Sequence, residues 1–255
     1  MAGRSDLEEF LLTLLWGADH FINPSIWKLN ETFDAWDRRN GGLSRQWRQL
    51  EDRKLVVRST RTKTLVYRLT TEGRTVAMGG SNLITAWEQP WDGKWRMILF
   101  DLPERDKQVR LRLWRWLRAN HFGFLQESVW IRPDPVSHVA ELLKDFKDDV
   151  EALTIMESTC AAGYENAAIV QGAWDFVEIN KRHRAYVQSH SVSPRDVNRL
   201  RASRKALNNW LRSEKVAWRH ATQLDPLLPR ALWPSDYQGE TSWRTRVQSF
   251  AILAR

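Results

Sequence analysis

Apolar residues in the first third of the chain recur first at helical and then at alternating intervals. Three segments place Leu, Phe or Trp three and four positions apart, which predicts three short helices. They cover residues 7–15, 29–36 and 43–50. In residues 55–60 and 64–70 the spacing of apolar residues changes to two, which places Leu55 with Val57, and Leu65 with Tyr67 and Leu69, on one face of a strand; with the polar turn between them this predicts a β-hairpin. Three helices followed by a hairpin indicate an N-terminal winged helix-turn-helix domain over residues 1–78.

The middle of the chain alternates strand-like and helix-like segments after a linker predicted at 79–90. Apolar runs predict strands at 95–100, in FGFLQESVWIRP and in EALTIMEST, with a further strand at AAIVQ. Helical spacing predicts helices from about 105 to 120 and from Pro135 onward. This order indicates a central ferredoxin-like α/β sandwich over residues 91–172.

The last third of the chain has a helical pattern from Trp174 onward. Pro194 is expected to open a long helix, and its inward residues would be Val197, Leu200, Leu207 and Leu211. We therefore expect a C-terminal α-helical domain over residues 173–255. The fold class predicted for the whole chain is a multidomain α+β protein.

Composition is typical of a soluble globular protein, with 42% hydrophobic and 27% charged residues. No run of about 18 apolar residues occurs, so no membrane contact is expected. Asp6, Glu8 and Glu9 near the start are unlike a secretory signal, which begins with basic residues. The single cysteine, Cys160, cannot form an internal disulfide. These features together predict a cytoplasmic protein.

The net charge of +8 is distributed unevenly along the chain. Residues 42–68 hold eight basic and two acidic side chains, as expected where a protein contacts nucleic acid. If Leu43, Trp47 and Leu50 face inward, the outward face of the third helix can contact base edges, because Arg pairs with guanine and Gln with adenine. That face comprises Ser44, Arg45, Gln46, Arg48 and Gln49. The hairpin adds three candidates for phosphate or minor-groove contacts, namely Arg58, Arg61 and Lys63.

Two other interpretations of this N-terminal pattern stay open. The charged residues could be ordinary solvated side chains on a small helical domain. A winged helix can also serve as a protein–protein adaptor without contacting DNA. The agreement between the element order, the local positive charge and an outward face without acidic residues favours double-stranded DNA as the partner.

Two long stretches resemble a known family. The segment WDGKWRMILFDLPERDKQVRLRLWRWLRANHFGFLQESVWIRP resembles the central part of PaaX-type repressors, which are named for control of phenylacetate breakdown. LDPLLPRALWPSDYQGE resembles that family's C-terminal signature. The chain differs in having Leu43-Ser44 where the third helix commonly starts with Val-Arg, and Tyr237 where Trp is usual. The first difference means that the operator sequence cannot be transferred from the family.

The resemblance implies a homodimeric repressor of a catabolic operon, bound to a palindromic operator. It also implies release from DNA by a small effector, aromatic or an acyl-coenzyme A thioester. Arginine and histidine could receive the effector's phosphates or carboxylate. Some of the fifteen tryptophans could line an aromatic pocket, although core packing accounts for many of them. The candidate effector contacts are Arg115, Trp130, Arg182, His183 and Arg184.

The alternative function is a metal-dependent nuclease. The central domain of such repressors resembles the small endonuclease subunit of CRISPR adaptation systems, and Asp101 stands where that family has its proposed metal-binding aspartate. Phosphodiester cleavage usually needs several carboxylates, and nothing in the sequence forces Glu104 and Asp106 inward. No metal-ligand or nucleophile motif occurs. We therefore expect Asp101 to cap the following segment, and predict no enzyme activity, metal or cofactor.

Overall fold

The computed structural model describes most of the chain after residue 42. The described residues are 43–61, 64–77, 83–100, 107–126, 128–143, 153–201 and 203–254. The first two predicted helices lie outside them. Elements are numbered below in chain order over this part.

The first described segment is a helix followed by a hairpin, as the hydrophobic pattern predicts, and then by a short helix that the pattern does not predict. In the first strand Val56 is buried, whereas Val57, expected on the inward face with Leu55, is exposed. Its elements are α1 (Leu43–Asp52), β1 (Val56–Arg61), β2 (Thr64–Leu69) and α2 (Thr71–Ala77). β1 and β2 pair antiparallel, with Val56 opposite Leu69. Helix α2 begins where the Gly73 N–H donates to Thr70 Oγ1 at 2.9 Å, a side-chain cap of its first turn.

The junction between α1 and β1 is set by local hydrogen bonds. The Leu55 N–H donates to the Leu50 carbonyl at 2.9 Å, and Lys54 takes a left-handed conformation with φ of 56°. This is the Schellman ending of a helix, in which two apolar residues close over the turn. Leu50 and Leu55 are both buried. A side chain at Gly73 would place its Cβ 1.8 Å from the Leu55 carbonyl oxygen, so only glycine fits there.

The predicted linker at 79–90 contains a helix, α3 (Leu83–Glu88), which corrects the sequence interpretation. Its Gly-Gly-Ser start suggested an extended connection. However, Leu83 and Trp87 lie four positions apart on one helical face, and both are buried. The i, i+4 apolar pair outweighs the loop-like composition because it allows both side chains to be buried together.

The central segment is a β-α-β-β-α-β arrangement. Its elements are β3 (Trp95–Leu99), α4 (Lys107–Ala119), β4 (Gly123–Gln126), β5 (Val129–Arg132), α5 (Val136–Leu143) and β6 (Thr154–Ser158). Among the described residues these strands form one antiparallel sheet in the order β4-β5-β3-β6. This is the topology of a ferredoxin-like sandwich. FGFLQESVWIRP, interpreted as one strand, forms the two paired strands β4 and β5.

Each face of this sheet packs on different helices, because alternate strand residues point to opposite sides. Ile98 and Trp130 lie in one core with Leu113 and Leu117 of α4 and Val139 of α5. The opposite face brings its own large side chains into a second core, whose buried members are Trp95, Ile131, Val170, Ala173, Trp174, Phe176, Ile179, Leu228 and Leu232.

The segment AAIVQ, predicted as a further strand, belongs instead to helix α6 (Asn166–Ala173). Ile169 and Val170 favour a strand locally. The buried residues of α6 are Val170 and Ala173, three positions apart, which is the spacing of one helical face. The indole N–H of Trp95 also donates to Asn166 Oδ1 at 2.8 Å. Tertiary packing therefore outweighs the local preference.

The C-terminal part is helical, as predicted. It contains α7 (Phe176–His190), α8 (Pro194–Arg201), α9 (Arg204–Thr222), a 3-10 turn (Arg230–Leu232) and α10 (Gly239–Ala254). The single long helix expected from Pro194 is two helices, α8 and α9. Among the described residues, β-strands are confined to the hairpin and the central sheet.

The chain divides into two compact units that are not continuous in sequence. One comprises Met1–Asn82, Ala185–Arg219 and Glu240–Arg255. The other comprises Leu83–Arg184 and His220–Gly239. The three-domain division predicted from sequence, 1–78, 91–172 and 173–255, stays a prediction.

Candidate nucleic-acid interface

Helix α1 is fixed against the hairpin by an aromatic stack. The rings of Trp47 on α1 and Tyr67 on β2 lie 4.1 Å apart between centroids and are inclined by 14°. Leu50, one turn further along α1, is fully buried. These contacts set which side of α1 faces outward, and Arg48 on that side is exposed.

The structure places some of the predicted DNA contacts and leaves others outside its described part. Arg48 is exposed and Gln49 is half-buried, both on α1. Ser44, Arg45 and Gln46 lie on the same helix, but their side chains are outside the described part. Arg61 ends β1, with its side chain likewise outside, and Lys63 lies outside the described residues.

Arg58, predicted as a hairpin contact, is engaged by neighbours within the same segment. Its Nε lies 2.7 Å from Glu51 Oε1, and its guanidinium carbon lies 5.8 Å from the centroid of the Tyr67 ring. Interactions with Tyr67 and then with Glu51 raise the pKa of Arg58. The pair joins the end of α1 to β1, so Arg58 holds the hairpin to the helix in addition to any contact it makes with DNA.

Two predicted effector contacts lie in the central segment. Arg115 is exposed on α4. Trp130 on β5 is fully buried, and its indole N–H has no hydrogen-bond partner among the described residues. Its ring contacts Trp114 and Phe124, with centroids 6.2 and 5.2 Å away. The indole N–H of Trp114 is also buried without a partner, so two unsatisfied donors occur in one aromatic cluster.

The other three predicted effector contacts are consecutive residues of α7 with different surroundings. Arg182 Nε donates to Glu178 Oε1 at 2.9 Å, and the pKa of that carboxyl group is lowered by the interaction. His183 is fully buried, whereas Arg184 is exposed. Consecutive helical residues point about 100° apart, so these three side chains do not converge on one ligand.

Sequence reasoning missed the network that holds His183. His183 Nε2 lies 2.8 Å from Asp225 Oδ2, and both side chains are buried. The same oxygen accepts a hydrogen bond from the Tyr237 hydroxyl, and Asp225 Oδ1 accepts one from the Leu227 N–H at 2.9 Å. His121 Nδ1 lies 2.7 Å from the Asp225 carbonyl oxygen, and burial lowers the pKa of His121. Asp225 and Tyr237 belong to LDPLLPRALWPSDYQGE, so the family-like stretch was the available signal.

A second buried network, also missed, joins three helices. Arg246 Nε on α10 donates to Glu214 Oε1 on α9 at 2.7 Å, and the Tyr186 hydroxyl on α7 donates to the same oxygen at 2.8 Å. Burial, and then the nearby Glu214 carboxylate, raise the pKa of Tyr186. The Arg246 guanidinium carbon also lies 4.8 Å from the centroid of the Trp218 ring. Every charged group in this cluster therefore has a close partner.

A third ionic cluster lies at one end of the central sheet. Arg96 on β3 is buried and bonds through Nη2 to Asp92 Oδ2 at 2.6 Å and to Glu157 Oε1 at 2.7 Å. The hydrogen bond from Arg96 lowers the pKa of Asp92 to about 2. Asp101, Glu104 and Asp106, which the nuclease alternative invokes, lie outside the described residues.

Two family profiles match the chain. The profile described as PaaX protein central Cas2-like domain matches residues 88–170. The profile described as PaaX-like protein C-terminal domain matches residues 174–250. The chain belongs to the PaaX family. This confirms the resemblance that the two long sequence stretches carry, and PaaX membership indicates a transcriptional regulator.

One solved structure similar to this PaaX-family chain is the uncharacterized protein Rv0674 from Mycobacterium tuberculosis. It is 21% identical with a TM-score of 0.45, over 84% of this chain and 81% of that one. No curated protein matches the chain. None of the described helices is long and apolar enough to cross a membrane.

Proposed function

We propose that this PaaX-family chain is a sequence-specific DNA-binding transcriptional repressor with a winged helix-turn-helix in residues 1–78. The observation that carries the proposal is exposed Arg48 on a helix whose other side is anchored by Trp47 on Tyr67. A helix held in this way can lie in the major groove and present an arginine to a guanine edge. The hairpin beside it then forms the wing.

The charge of the segment supports the same function. Residues 42–68 carry a net charge of +6, which favours the phosphate backbone of duplex DNA. Within the proposal, base contacts come from Ser44, Arg45, Gln46, Arg48 and Gln49, and backbone contacts from Arg61 and Lys63. Arg58 acts mainly as a positioning residue, because Glu51 already neutralises its charge.

The proposed repressor acts as a homodimer on a palindromic operator. Two identical DNA-binding domains related by a two-fold axis require half-sites whose centres lie about one helical turn, roughly 10 base pairs, or a multiple apart. This arrangement doubles the number of phosphate contacts, so binding falls steeply as salt rises.

A small effector, aromatic or an acyl-coenzyme A thioester, releases the proposed repressor from a catabolic operon. Among the predicted contacts, Trp130 retains an indole N–H without a partner, and Arg184 is exposed. Arg182 is hydrogen-bonded to Glu178, and His183 to Asp225. We therefore infer that these two residues mainly stabilise the position of α7 and contribute less to effector binding.

The experiment measures binding of the full chain to its own upstream DNA and to a random duplex of equal length. We expect Arg48→Ala to weaken operator binding by roughly 1–3 kcal/mol and random binding much less, because a lost base contact affects only the matched sequence. The matched control is Arg195→Ala, which removes an exposed arginine from α8 and should leave the affinities for both duplexes unchanged.

Three results would argue against the proposal in different ways. Equal loss on both duplexes would make Arg48 a phosphate contact and move base recognition elsewhere. No preference of the wild-type chain for its upstream region would contradict the repressor function and favour the adaptor. Cleavage of labelled DNA in magnesium that Asp101→Ala abolishes would favour the nuclease.

A further inference from the structure

Helix α4 has an exposed face that is rich in cations and has no acidic residue. Its thirteen residues include five basic and no acidic side chains. Four of the basic residues are exposed, and they define the basic face of α4: Lys107, Arg112, Arg115 and Arg118. Leu111, within the same face, is 45% exposed.

This face cannot turn away from solvent. Leu113 and Leu117 on the opposite side of α4 are fully buried in the core with Ile98 and Trp130 of the sheet. Packing therefore fixes the rotation of the helix about its axis, and the arginines stay on its solvent-exposed side. The helix does not have to reorient for a ligand to reach them.

The charge pattern works against the stability of the helix itself. Arg112, Arg115 and Arg118 follow one another at intervals of three, where like charges repel. Lys107 and Arg110 stand in the first turn, where the helix dipole favours acidic residues and none occurs. Arg115 and Arg118 make no ion pair with any described residue. A surface that only needed solubility would interleave both signs of charge.

We propose that the basic face of α4 binds the phosphate backbone of duplex DNA, as a second contact of the central segment beyond the winged helix. The proposal rests on the proposed DNA-binding function. Arg112 to Arg118 span about 9 Å along the helix axis, at a rise of about 1.5 Å per residue. Each strand of duplex DNA presents a phosphate about every 3.4 Å of its axis, so the row meets more than one phosphate. Such contacts carry no sequence information.

The test compares the full-length Arg115→Ser/Arg118→Ser variant with the wild type on operator and random duplexes over a range of salt concentrations. We expect the slope of log affinity against log salt to become shallower by about 2, one for each lost phosphate contact. At about 0.1 M salt the affinity should fall by roughly tenfold or more, by the same factor on both duplexes.

Two double variants serve as controls: one removes the same amount of positive charge from another surface, and the other keeps the positive charge on α4. Arg195→Ser/Lys205→Ser removes two exposed cations from α8 and α9, and it should leave the slope unchanged. Arg115→Lys/Arg118→Lys keeps both charges on α4 and should keep most of the slope, since a phosphate contact needs charge more than shape. Circular dichroism verifies that each variant is folded.

The proposal is overturned if the wild type prefers its operator but the α4 serine variant has an unchanged slope. In that case the proposed function stands without this contact. It is also overturned if the variant binds DNA normally but no longer responds to coenzyme A thioesters, since the face would then serve effector phosphates. If the wild type binds no duplex at all, the proposed function fails together with the inference.

Discussion

Two arginine–glutamate pairs in this protein have the same geometry and different surroundings. In the segment of α1 and the hairpin, Arg58 Nε lies 2.7 Å from Glu51 Oε1, and the side chains are 52% and 23% exposed. Among the C-terminal helices, Arg246 Nε also lies 2.7 Å from Glu214 Oε1, with exposures of 3% and 2%. Water screens the first pair and is excluded from the second.

The difference shows that burial, and not the contact distance, decides what each pair does. An exposed pair contributes about 0–1 kcal/mol, because solvent competes for both partners. It can be disrupted at low cost. A buried pair is costly to break, because either partner left alone is a charge without solvent. The C-terminal pair therefore links α9 to α10 throughout the folded state.

The cluster around Arg96 lies between these extremes. Arg96 is 4% exposed, while its partners Asp92 and Glu157 are 47% and 38% exposed. The cation is buried and the anions still contact water. If one of these two interactions is broken, Arg96 still interacts with the other carboxylate. Its Nη1 also still donates to the Pro133 carbonyl oxygen at 3.2 Å. We expect its contribution to fall between those of the two arginine–glutamate pairs.

The largest effect is expected for Glu214→Gln. This change keeps the shape of the side chain but leaves the Arg246 charge buried without compensation, at a cost of about 3–5 kcal/mol. Urea unfolding of the full chain, followed by tryptophan fluorescence and by circular dichroism, measures the loss.

The control for that loss removes both charges. Glu214→Gln/Arg246→Met should be more stable than Glu214→Gln alone, because no buried charge is left unpaired. A single variant within about 1 kcal/mol of the wild type would contradict the role given to this pair.

A smaller, pH-dependent effect is expected for Asp92→Asn. Arg96 lowers the pKa of Asp92 from 3.8 to about 2 on folding, so the ionised carboxylate stabilises the folded state above pH 3.8. That stabilisation is lost as the pH falls through 2. Asp92→Asn should therefore lower the urea midpoint at neutral pH, and the gap to the wild type should narrow as the pH is lowered toward 2.

The matched control for this experiment is Glu165→Gln, which removes an exposed carboxylate outside the cluster. Because Glu165 immediately precedes α6, where a negative charge interacts favourably with the helix dipole, the urea midpoint of this variant should fall slightly at neutral pH, by less than that of Asp92→Asn. A gap between wild type and Asp92→Asn that stays constant with pH would show that the Arg96 cluster does not depend on ionised Asp92.

The smallest effect on stability is expected for Arg58→Gln, because solvent competes for both partners of the exposed Arg58–Glu51 pair. Because Glu51 is paired with Arg58 in the free protein, the salt dependence of DNA binding should change less for Arg58→Gln than for Lys63→Gln, which removes a proposed phosphate contact. A double-mutant cycle with Glu51→Gln measures the coupling. A slope that falls by about 1 for Arg58→Gln alone would instead make Arg58 a full phosphate contact.

Elements with a single strong period were predictable from sequence. Helix α1, the following hairpin and the buried stripe of α4 through Leu113 and Leu117 are where the spacing places them. The errors fell on short segments where local composition and packing disagree. AAIVQ has strand-forming residues, but it lies in α6, whose Val170 and Ala173 are buried three positions apart in the core on one face of the sheet.

The candidate site could be predicted only as far as residue type and position on a helix. The outward placement of Arg48 follows from the period of α1, and its exposure agrees. The same reasoning could not separate Arg58 from Arg61 or Lys63, because all three are cations of one hairpin. A carboxylate on α1, Glu51, distinguishes Arg58, and that contact crosses from helix to strand.

By itself, the amino-acid sequence determined the family, the local elements with a clear hydrophobic period, and the concentration of positive charge near α1. These depend on neighbours a few residues apart, where spacing alone decides which face is apolar. The tertiary structure alone decided which charges are paired. Glu214 with Arg246 and His183 with Asp225 meet across 32 and 42 positions of sequence. Nothing local selects such partners, because a buried charge is stabilised only by whatever group the fold brings within hydrogen-bond distance.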